Sequence, residues 1–286
     1  MTAEPLAPPV THYENFPVAS WLCPAALRPA VAAIYAYART ADDLADEGEV
    51  DAATRLQRLA EYRAELQAAA AGSPRQNSAW PEVFAPLAAV MARHRLPLAP
   101  LEHLLDAFEQ DVRATRGGAV PADLDALLDY CSRSANPVGR LMLHLYGIED
   151  PDTRARSDAV CSALQLINFW QDLSVDLPRQ RYYLPADRCA HHGVDPRAPV
   201  RGPEFSNLIA ELHQFTRALL QKGSPIVFEV PGRSGWELRL VVQGAERMLE
   251  QIAASGDRLL EQRPRLHARD VPRLLWRALC MRRPPP

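Results

Sequence analysis

Acidic and carboxamide side chains recur at helical spacing in the stretch LQLINFWQDLSVD, which begins at Leu164. Its polar members follow one another at intervals of three, four and four, so a helix aligns them along one face. These members are Gln165, Asn168, Asp172 and Asp176. The remaining faces are apolar, which indicates a helix packed inside a bundle. Buried carboxylates cost several kcal/mol each unless cations, arginines or water compensate them.

A second acidic stretch, YAYARTADDLAD, begins at Tyr35 and shows spacings of four, three and four. Its aligned members are Tyr35, Arg39, Asp42 and Asp46. Two acidic helices that face each other can hold Mg²⁺ through oxygen ligands and leave coordination positions for phosphate oxygens. A solvated polar face explains either stretch alone. The presence of both favours a metal-dependent diphosphate site.

The elements that must position these residues are predicted to be helices. Apolar residues recur at helical spacing, and no alternation of strands and turns is visible, so the chain is predicted to be all-α. The helices are expected at roughly 24–47, 51–71, 79–94, 98–115, 121–147, 153–177, 203–224, 235–257 and 270–281. No internal boundary interrupts them, which predicts a single helical domain over residues 12–286. The proline-rich residues 1–11 are predicted to be disordered.

Composition narrows the class of protein. The 286 residues are 48% apolar with a formal net charge of −3, which does not indicate a nucleic-acid partner. No signal peptide is visible, no apolar run reaches the ~18 residues of a membrane span, and the five cysteines are scattered, so we expect a cytoplasmic protein. The C-terminal Leu274-Leu275-Trp276 with Arg282 and Arg283 indicates either peripheral contact with an anionic membrane surface or a docked helix.

Pro137 interrupts the helical pattern over 121–147, because proline cannot donate to the carbonyl of Arg133. Ser134 and Gly139 leave the backbone thinly covered there, so a bulky apolar ligand could lie against a kink. A plain helix boundary is the alternative interpretation.

Three charged residues outside the two stretches have two interpretations each. Arg179 and Arg181 follow the second stretch and could clamp a phosphate, although surface arginines are as well explained. Asp111 could face a cavity or form an exposed pair with a nearby arginine.

Together, these motifs resemble the squalene and phytoene synthase family of head-to-head prenyltransferases over essentially the whole chain. The D-x-x-x-D motif of the family corresponds to Asp42 and Asp46. Its N-x-x-x-D-x-x-x-D motif corresponds to Asn168, Asp172 and Asp176. The resemblance implies that these residues bind two to three Mg²⁺ ions. It also implies an isoprenoid-synthase helical bundle around a central cavity, with a prenyl diphosphate as the substrate.

The resemblance also implies substrate contacts at further matching positions, which are Tyr35, Val138, Gly139, Gln165, Arg181 and Tyr183. Arg39 matches the arginine of the first motif and is a catalytic candidate. Tyr130 is a candidate for guiding protons or water, although a packed tyrosine ring is the alternative. Asn136, beside the predicted kink with Ser134, could hold a water molecule near the substrate.

Two departures from the family pattern refine the prediction. Many members carry His-Ser-x-Ser-Phe near the start, whereas this chain has His12-Tyr13-Glu14-Asn15-Phe16, a segment expected to bind substrate. Gln171 stands where an arginine usually precedes the second-motif aspartate, and it is also expected at the substrate. Both features look most like the bacterial hydroxysqualene synthase branch.

That branch ionises presqualene diphosphate and traps the rearranged cation with water. The resemblance therefore implies that NADPH is not needed and that a presqualene diphosphate synthase hands over the substrate. A site without an arginine at position 171 also has less need to grip two separate diphosphates.

The motifs leave several functions open. They also fit a presqualene diphosphate, squalene or phytoene synthase. An inactive scaffold of the same family is a different class of answer, but five intact oxygen ligands argue against it. A carrier of squalene or carotenoid is a third hypothesis, which metal-dependent release of diphosphate would exclude.

Overall fold

A computed structural model describes residues 23–283 apart from 49, 74 and 76. This part of the chain is helical and contains no strand, which confirms the predicted all-α class. Its α-helices are α1 (Arg28–Asp46), α2 (Ala52–Ala70), α3 (Pro81–His94), α4 (Leu98–Gly117), α5 (Leu124–Ser134), α6 (Asn136–Leu145), α7 (Pro151–Gln171), α8 (Leu173–Asp176), α9 (Ala186–His192), α10 (Pro203–Gly223), α11 (Gly232–Ser255) and α12 (Val271–Cys280). The predictions for residues 1–11 and 12–16 lie outside the described residues.

Side-chain caps and a glycine explain several helix ends. Asp51, Asp123 and Asp150 each precede a helix and accept a hydrogen bond of 2.8 Å from the backbone amide three residues later. Such caps satisfy amides that have no partner inside the helix. Gly48 follows α1 with a φ of +83°, a conformation that favours glycine, so the predicted stop after this helix is confirmed.

Helices α1 to α4 enclose one hydrophobic core, with stacked aromatic rings at its centre. The rings of Tyr37 and Tyr62 stack with their centroids 5.3 Å apart. The Tyr62 hydroxyl donates to the Tyr37 carbonyl, and the Tyr37 hydroxyl donates to the Leu101 carbonyl, both at 3.0 Å. These bonds satisfy the buried hydroxyls and fix α1, which carries the first aspartate motif, against α2 and α4.

The second core surrounds α7, which packs against α6, α10 and α11. Trp170 is fully buried there and donates from Nε1 to Thr216 Oγ1 at 2.9 Å. A Cβ added at Gly223 would lie 2.6 Å from the Arg156 carbonyl oxygen, so glycine is required where α10 approaches α7. The helix that carries the second aspartate motif is therefore clamped on several sides.

The structure corrects two predicted helix boundaries. The pattern over 121–147 is interrupted as predicted, but at Ala135, two residues before Pro137. The predicted continuous helix over 153–177 is wrong, because α7 ends at Gln171 and Asp172 adopts φ −99° and ψ 10°. The chain tightens there, since the Val175 amide donates to the Asp172 carbonyl three residues back. Asp172 and Asp176 therefore do not continue the regular face of α7.

Over the described residues, no helix combines the length and the apolar character that a bilayer crossing requires.

Candidate active site

A cavity of about 780 Å³ opens at the ends of α1 and α4, beside the segment that follows α8. Its lining is rich in charged side chains of both signs. The lining residues are Arg39, Asp42, Ala45, Asp46, Glu47, Ala52, Arg55, Asp111, Val112, Thr115, Arg116, Arg179 and Arg181. Most of the first aspartate motif lies here, together with both arginines that follow the second.

Arginines already neutralise part of the first motif. Arg39 Nη1 lies 3.0 Å from Asp42 Oδ2, and the same guanidinium contacts Asp43. Arg181 Nη2 lies 2.6 Å from Asp46 Oδ1, and the Arg181 side chain is only 21% exposed. Arg181 is therefore a cavity residue rather than a surface arginine. It joins the segment after α8 to α1, which brings the two motifs towards each other.

Negative charge still exceeds what these arginines compensate. Burial and the neighbouring Asp46 raise the pKa of Asp42 to about 6. Burial and the neighbouring Asp172 raise the pKa of Asp176 to about 6 as well. Crowded, partly desolvated carboxylates shift in this direction when positive charge is insufficient. Additional cations would therefore stabilise their ionised forms.

Mg²⁺ fits this donor set in chemistry, because hard divalent cations prefer carboxylate and carboxamide oxygens. Asn168, Asp172 and Asp176 on the second motif, and Asp42 and Asp46 on the first, supply such oxygens. Among the residues that the structure describes, no three acidic, imidazole or thiol groups already converge as a metal centre. Metal ligation by these five residues stays a prediction.

Asp111 on α4 is the acidic residue that the sequence left undecided, and the structure places it at the cavity. Its carboxylate accepts a hydrogen bond of 2.6 Å from the Tyr130 hydroxyl. Burial, with Asp46 and Asp42 nearby, raises the pKa of Asp111 to about 7, although the Tyr130 bond opposes this shift. Burial also holds the pKa of Tyr130 well above its usual value. The pair can therefore retain a proton near neutral pH.

Two further aromatic rings lie beside Tyr130. The rings of Phe169 and Tyr183 stack with centroids 3.9 Å apart and an interplanar angle of 10°. The Tyr130 ring lies 5.9 Å from that of Phe169 and 6.5 Å from that of Tyr183. Aromatic faces stabilise nearby positive charge. Sequence reasoning missed Phe169, because an apolar residue on a bundle helix carries no separate signal.

The second motif has a counter-ion that sequence patterns could not reveal. Arg263 forms a forked pair with Asp172, in which Nη2 lies 3.0 Å from Oδ2 and Nε contacts Oδ1. The two residues are 91 positions apart in the chain.

On α7, Gln165 and Asn168 are half-buried. Gln171 is only 1% exposed, and its side chain donates to the Pro264 carbonyl at 2.8 Å. Its predicted contact with substrate stays a prediction.

The residues around Ala135 have packing and hydrogen-bonding roles in the structure. Asn136 is buried, and its Oδ1 accepts a hydrogen bond of 2.9 Å from Ser162 Oγ. A Cβ added at Gly139 would lie 2.5 Å from Ser157 Oγ and 2.7 Å from Cys161 Sγ, so this glycine lets α6 approach α7 closely. Val138 is 40% exposed. Tyr35 is half-buried on α1, one turn before Arg39.

Comparisons with known proteins agree with these motifs. A hydroxysqualene synthase from Rhodopseudomonas palustris is 34% identical over 244 residues, which cover 84% of this chain and 79% of that protein. A phytoene synthase from Thermus thermophilus is 30% identical over 279 residues, which cover 96% of this chain and 91% of that protein. The chain is thus similar to enzymes with different products.

Solved structures show the same likeness. The crystal structure of squalene synthase HpnC from Alicyclobacillus acidocaldarius superposes with a TM-score of 0.77 at 34% identity, covering 86% of this chain and 90% of that chain. This neighbour confirms the predicted isoprenoid-synthase bundle. The sequence model of the squalene/phytoene synthase family matches residues 10–270. The chain therefore belongs to the squalene/phytoene synthase family.

Proposed function

We propose that this chain converts presqualene diphosphate into hydroxysqualene and releases inorganic diphosphate in a Mg²⁺-dependent reaction. The observation that carries the proposal is the gathering of Asp42, Asp46 and Asp111 with Arg39 and Arg181 around one cavity. A diphosphate is the ligand class that such a mixture of carboxylates and arginines fits, once metal ions neutralise the acids. The similarity to hydroxysqualene synthases supports the choice of product.

The charged residues act on the leaving group. When bound, Mg²⁺ supplies Lewis-acid stabilisation of the diphosphate. Arg39 and Arg181 lie within the same cavity, where their fixed positive charges favour the separation of negative charge as the carbon–oxygen bond breaks. Because each arginine is already paired with a motif aspartate, its guanidinium is held in orientation before the substrate arrives.

The aromatic and hydroxyl groups act on the carbon skeleton. The half-buried Tyr183 ring, which stacks on the buried Phe169 ring, offers a face that can stabilise a carbocation, and the pair excludes bulk water. The Tyr130 hydroxyl points to Asp111, so this pair can take up or hold the proton that a water nucleophile loses.

A water nucleophile also needs a polar anchor. Ser134 Oγ is buried and has no hydrogen-bond partner among the described residues, which makes it available to a bound water. Asn136 lies two residues away, and its carboxamide is held by Ser162. These observations support the proposal that the break between α5 and α6 positions the water.

The test is turnover of purified protein with Mg²⁺ and presqualene diphosphate in ¹⁸O-labelled water. We expect the label in a C30 alcohol, with no requirement for NADPH. Squalene as the main product when NADPH is supplied would overturn this proposal and favour a squalene synthase.

Two parallel reactions distinguish the remaining enzymes of the family. Accumulation of presqualene diphosphate from farnesyl diphosphate alone would indicate a presqualene diphosphate synthase. Phytoene from geranylgeranyl diphosphate would indicate a phytoene synthase.

We further propose that a presqualene diphosphate synthase supplies the substrate. The predicted one-diphosphate substrate must come from an enzyme that joins two allylic diphosphates. Mixing this protein with such a synthase and farnesyl diphosphate should give the C30 alcohol, whereas neither enzyme alone should.

We also propose that α12 contacts an anionic membrane surface. The helix docks on α11 through one face, where Ala278 is buried and Arg277 lies 2.7 Å from Glu250. The opposite face leaves Leu275, Trp276 and Leu279 exposed by 48%, 68% and 64%. Both sequence-based interpretations of this helix, a docked element and a membrane contact, are thus compatible.

Charge favours an anionic bilayer as the partner of that face. Residues 263–283 contain seven arginines and one acidic residue, whereas the whole chain is net negative. Tryptophan and arginine beside an apolar face suit the interface of a membrane. Sedimentation with vesicles should show binding to phosphatidylglycerol-containing bilayers and much less to neutral ones. Trp276→Ser should weaken the binding, and equal sedimentation with neutral vesicles would contradict the proposal.

A further inference from the structure

The C-terminal segment 261–266 lies against the point where the second aspartate motif leaves its helix. Gln171 is the last residue of α7, and its carboxamide donates to the Pro264 carbonyl at 2.8 Å. Gln171 is 1% exposed and Pro264 is half-buried, so the donor end of the bond is shielded from water. A buried donor that loses its acceptor pays the full desolvation penalty, which makes this contact a firm attachment.

The same segment carries Arg263 directly onto Asp172. The guanidinium forms a forked pair with both carboxylate oxygens, with Nη2 3.0 Å from Oδ2. Because Arg263 precedes Pro264, its own backbone is confined to extended conformations. Fixing the Pro264 carbonyl therefore also fixes where the Arg263 side chain begins.

Ion pairs hold the segment at either end. Arg201 lies 3.1 Å from Glu261 and 3.3 Å from Asp257 at the start of the segment. Beyond it, Asp270 lies 2.8 Å from Arg247. Leu266 packs against the hydrophobic core around α7, and the end of α7 contacts the middle of the segment at Arg263 and Pro264.

We propose that Gln171 is a positioning residue, which ties segment 261–266 to α7 so that Arg263 supplies the cation beside Asp172. An arginine at position 171 would bring a cation from the neighbouring position in the chain; here it comes from a distant segment instead. The inference deepens the proposed function, because it assigns Gln171 and Arg263 to the diphosphate site. Glutamine at position 171 then does not mean that the site lacks a positive charge, because Arg263 supplies one.

An arginine placed at 171 would conflict with this arrangement. The side chain of Gln171 is enclosed and faces a carbonyl, so a longer charged group would have to displace the segment or leave its pocket. We therefore expect Gln171→Arg to free segment 261–266 without improving turnover.

The first experiment measures hydrogen exchange at the amides of Glu261 and Gln262, which start the segment and both donate to the Arg258 carbonyl. Gln171→Met removes the donor at similar length, and Gln221→Met on the exposed surface of α10 is the matched control. We expect exchange at these two amides to accelerate at least about tenfold in Gln171→Met, because the segment loses its hydrogen bond to α7, and to be unchanged in the control. Unchanged protection in Gln171→Met would overturn the proposal.

The second experiment measures binding of inorganic diphosphate in the presence of Mg²⁺ by calorimetry. Arg263→Gln should weaken binding by about tenfold or more, because it removes a charged donor, and Arg263→Lys should retain part of the affinity. Gln171→Met should weaken binding less. The double variant should bind no more weakly than Arg263→Gln alone, because Gln171 acts through Arg263.

Additive losses in the double variant would show that Gln171 acts independently and would overturn the proposal. Circular dichroism and melting temperature exclude unfolding as the cause. Neither experiment uses a prenyl chain, so both results stand even if presqualene diphosphate proves not to be the substrate. A failure of the proposed function is therefore distinguishable from a failure of this inference.

Discussion

Both aspartate motifs are proposed to bind Mg²⁺, but they are built in different ways. The first lies on the unbroken helix α1, and the partner of Asp42 is Arg39, three residues earlier on the same helix. The second spans the break after α7, and the partner of Asp172 is Arg263, 91 residues later. Local helical spacing is enough to place Arg39 beside Asp42, whereas the partner of Asp172 depends on how the end of the chain packs.

The two motifs illustrate two ways in which a fold can position a carboxylate. On a regular helix, residues three and four positions apart are neighbours before any tertiary contact forms. At a helix break, the direction of each side chain depends on the backbone of that residue and on what lies against it. The Arg39–Asp42 pair should therefore tolerate changes in distant segments, whereas the Arg263–Asp172 pair should not.

The largest expected effect comes from removing one carboxylate from each motif. Asp42→Ala and Asp172→Ala should each lower the rate of diphosphate release by at least about 100-fold, because each deletes a predicted metal ligand rather than a packing group. Asp129→Ala removes an exposed carboxylate from α5, 69% exposed, and should leave the rate unchanged. If either motif variant were folded by circular dichroism and near wild-type in rate, its metal assignment would be wrong.

Arg181→Gln tests the contact that joins the two motifs. The variant removes the partner of Asp46 and a cavity cation, so we expect a loss of roughly 10-fold to 100-fold in kcat/KM. Arg217→Gln removes a half-exposed arginine paired with Glu246 on another surface and is the matched control. Equal kcat/KM values for the two variants would mean that Arg181 contributes no more to turnover than a surface arginine does.

Gly139→Ala tests the close packing of α6 on the helix of the second motif. The new methyl group meets Ser157 and Cys161, so we expect a loss of about 1–3 kcal/mol in the free energy of unfolding. Thermal unfolding should show a Tm several degrees lower. Gly147→Ala is not a suitable control because φ is positive there, whereas Gly117 has open space beside it and Gly117→Ala should change little. A Tm equal to that of the Gly117 variant would contradict the packing role.

Asp111→Asn should have the smallest effect, and in the opposite direction. The pKa of Asp111 is raised to about 7, so the folded state holds a proton that the unfolded state releases near pH 4. Stability from this group is therefore present below pH 4 and is lost as the pH rises towards 7. In metal-free buffer at pH 8 the variant should melt a few degrees higher than the wild type.

The pH dependence supplies the control for that measurement. The gain in Tm should nearly vanish at pH 4, where Asp111 is protonated in the folded state and about half protonated in the unfolded state. Added Mg²⁺ should reduce the gain by neutralising Asp42 and Asp46. A gain that is the same at pH 4 and pH 8 would show that the carboxylate is not strained by its neighbours. Asp129→Asn, with an exposed carboxylate, should show no such dependence.

Much of the fold and part of the site could be predicted from local patterns. The helices over 51–71, 98–115 and 203–224 lie within a few residues of those observed, because apolar periodicity, proline and glycine act within a few positions. The alignment of Arg39, Asp42 and Asp46 on one helix is equally local. The continuous helix through Asp172 was wrong, because no residue around it forbids a helix and the break coincides with tertiary contacts of that aspartate.

The sequence by itself determined the helical class, the alignment of Arg39, Asp42 and Asp46, and the family, because all of these depend on spacing along the chain. Only the tertiary structure decided that Asp111 bonds to Tyr130 and that Arg263 reaches Asp172. Such contacts join residues that have no fixed spacing, and burial then sets their charges and pKa values. For the same reason, the sequence indicates only that position 171 lacks a cation. The structure shows that Gln171 instead binds the segment that carries Arg263 to Asp172.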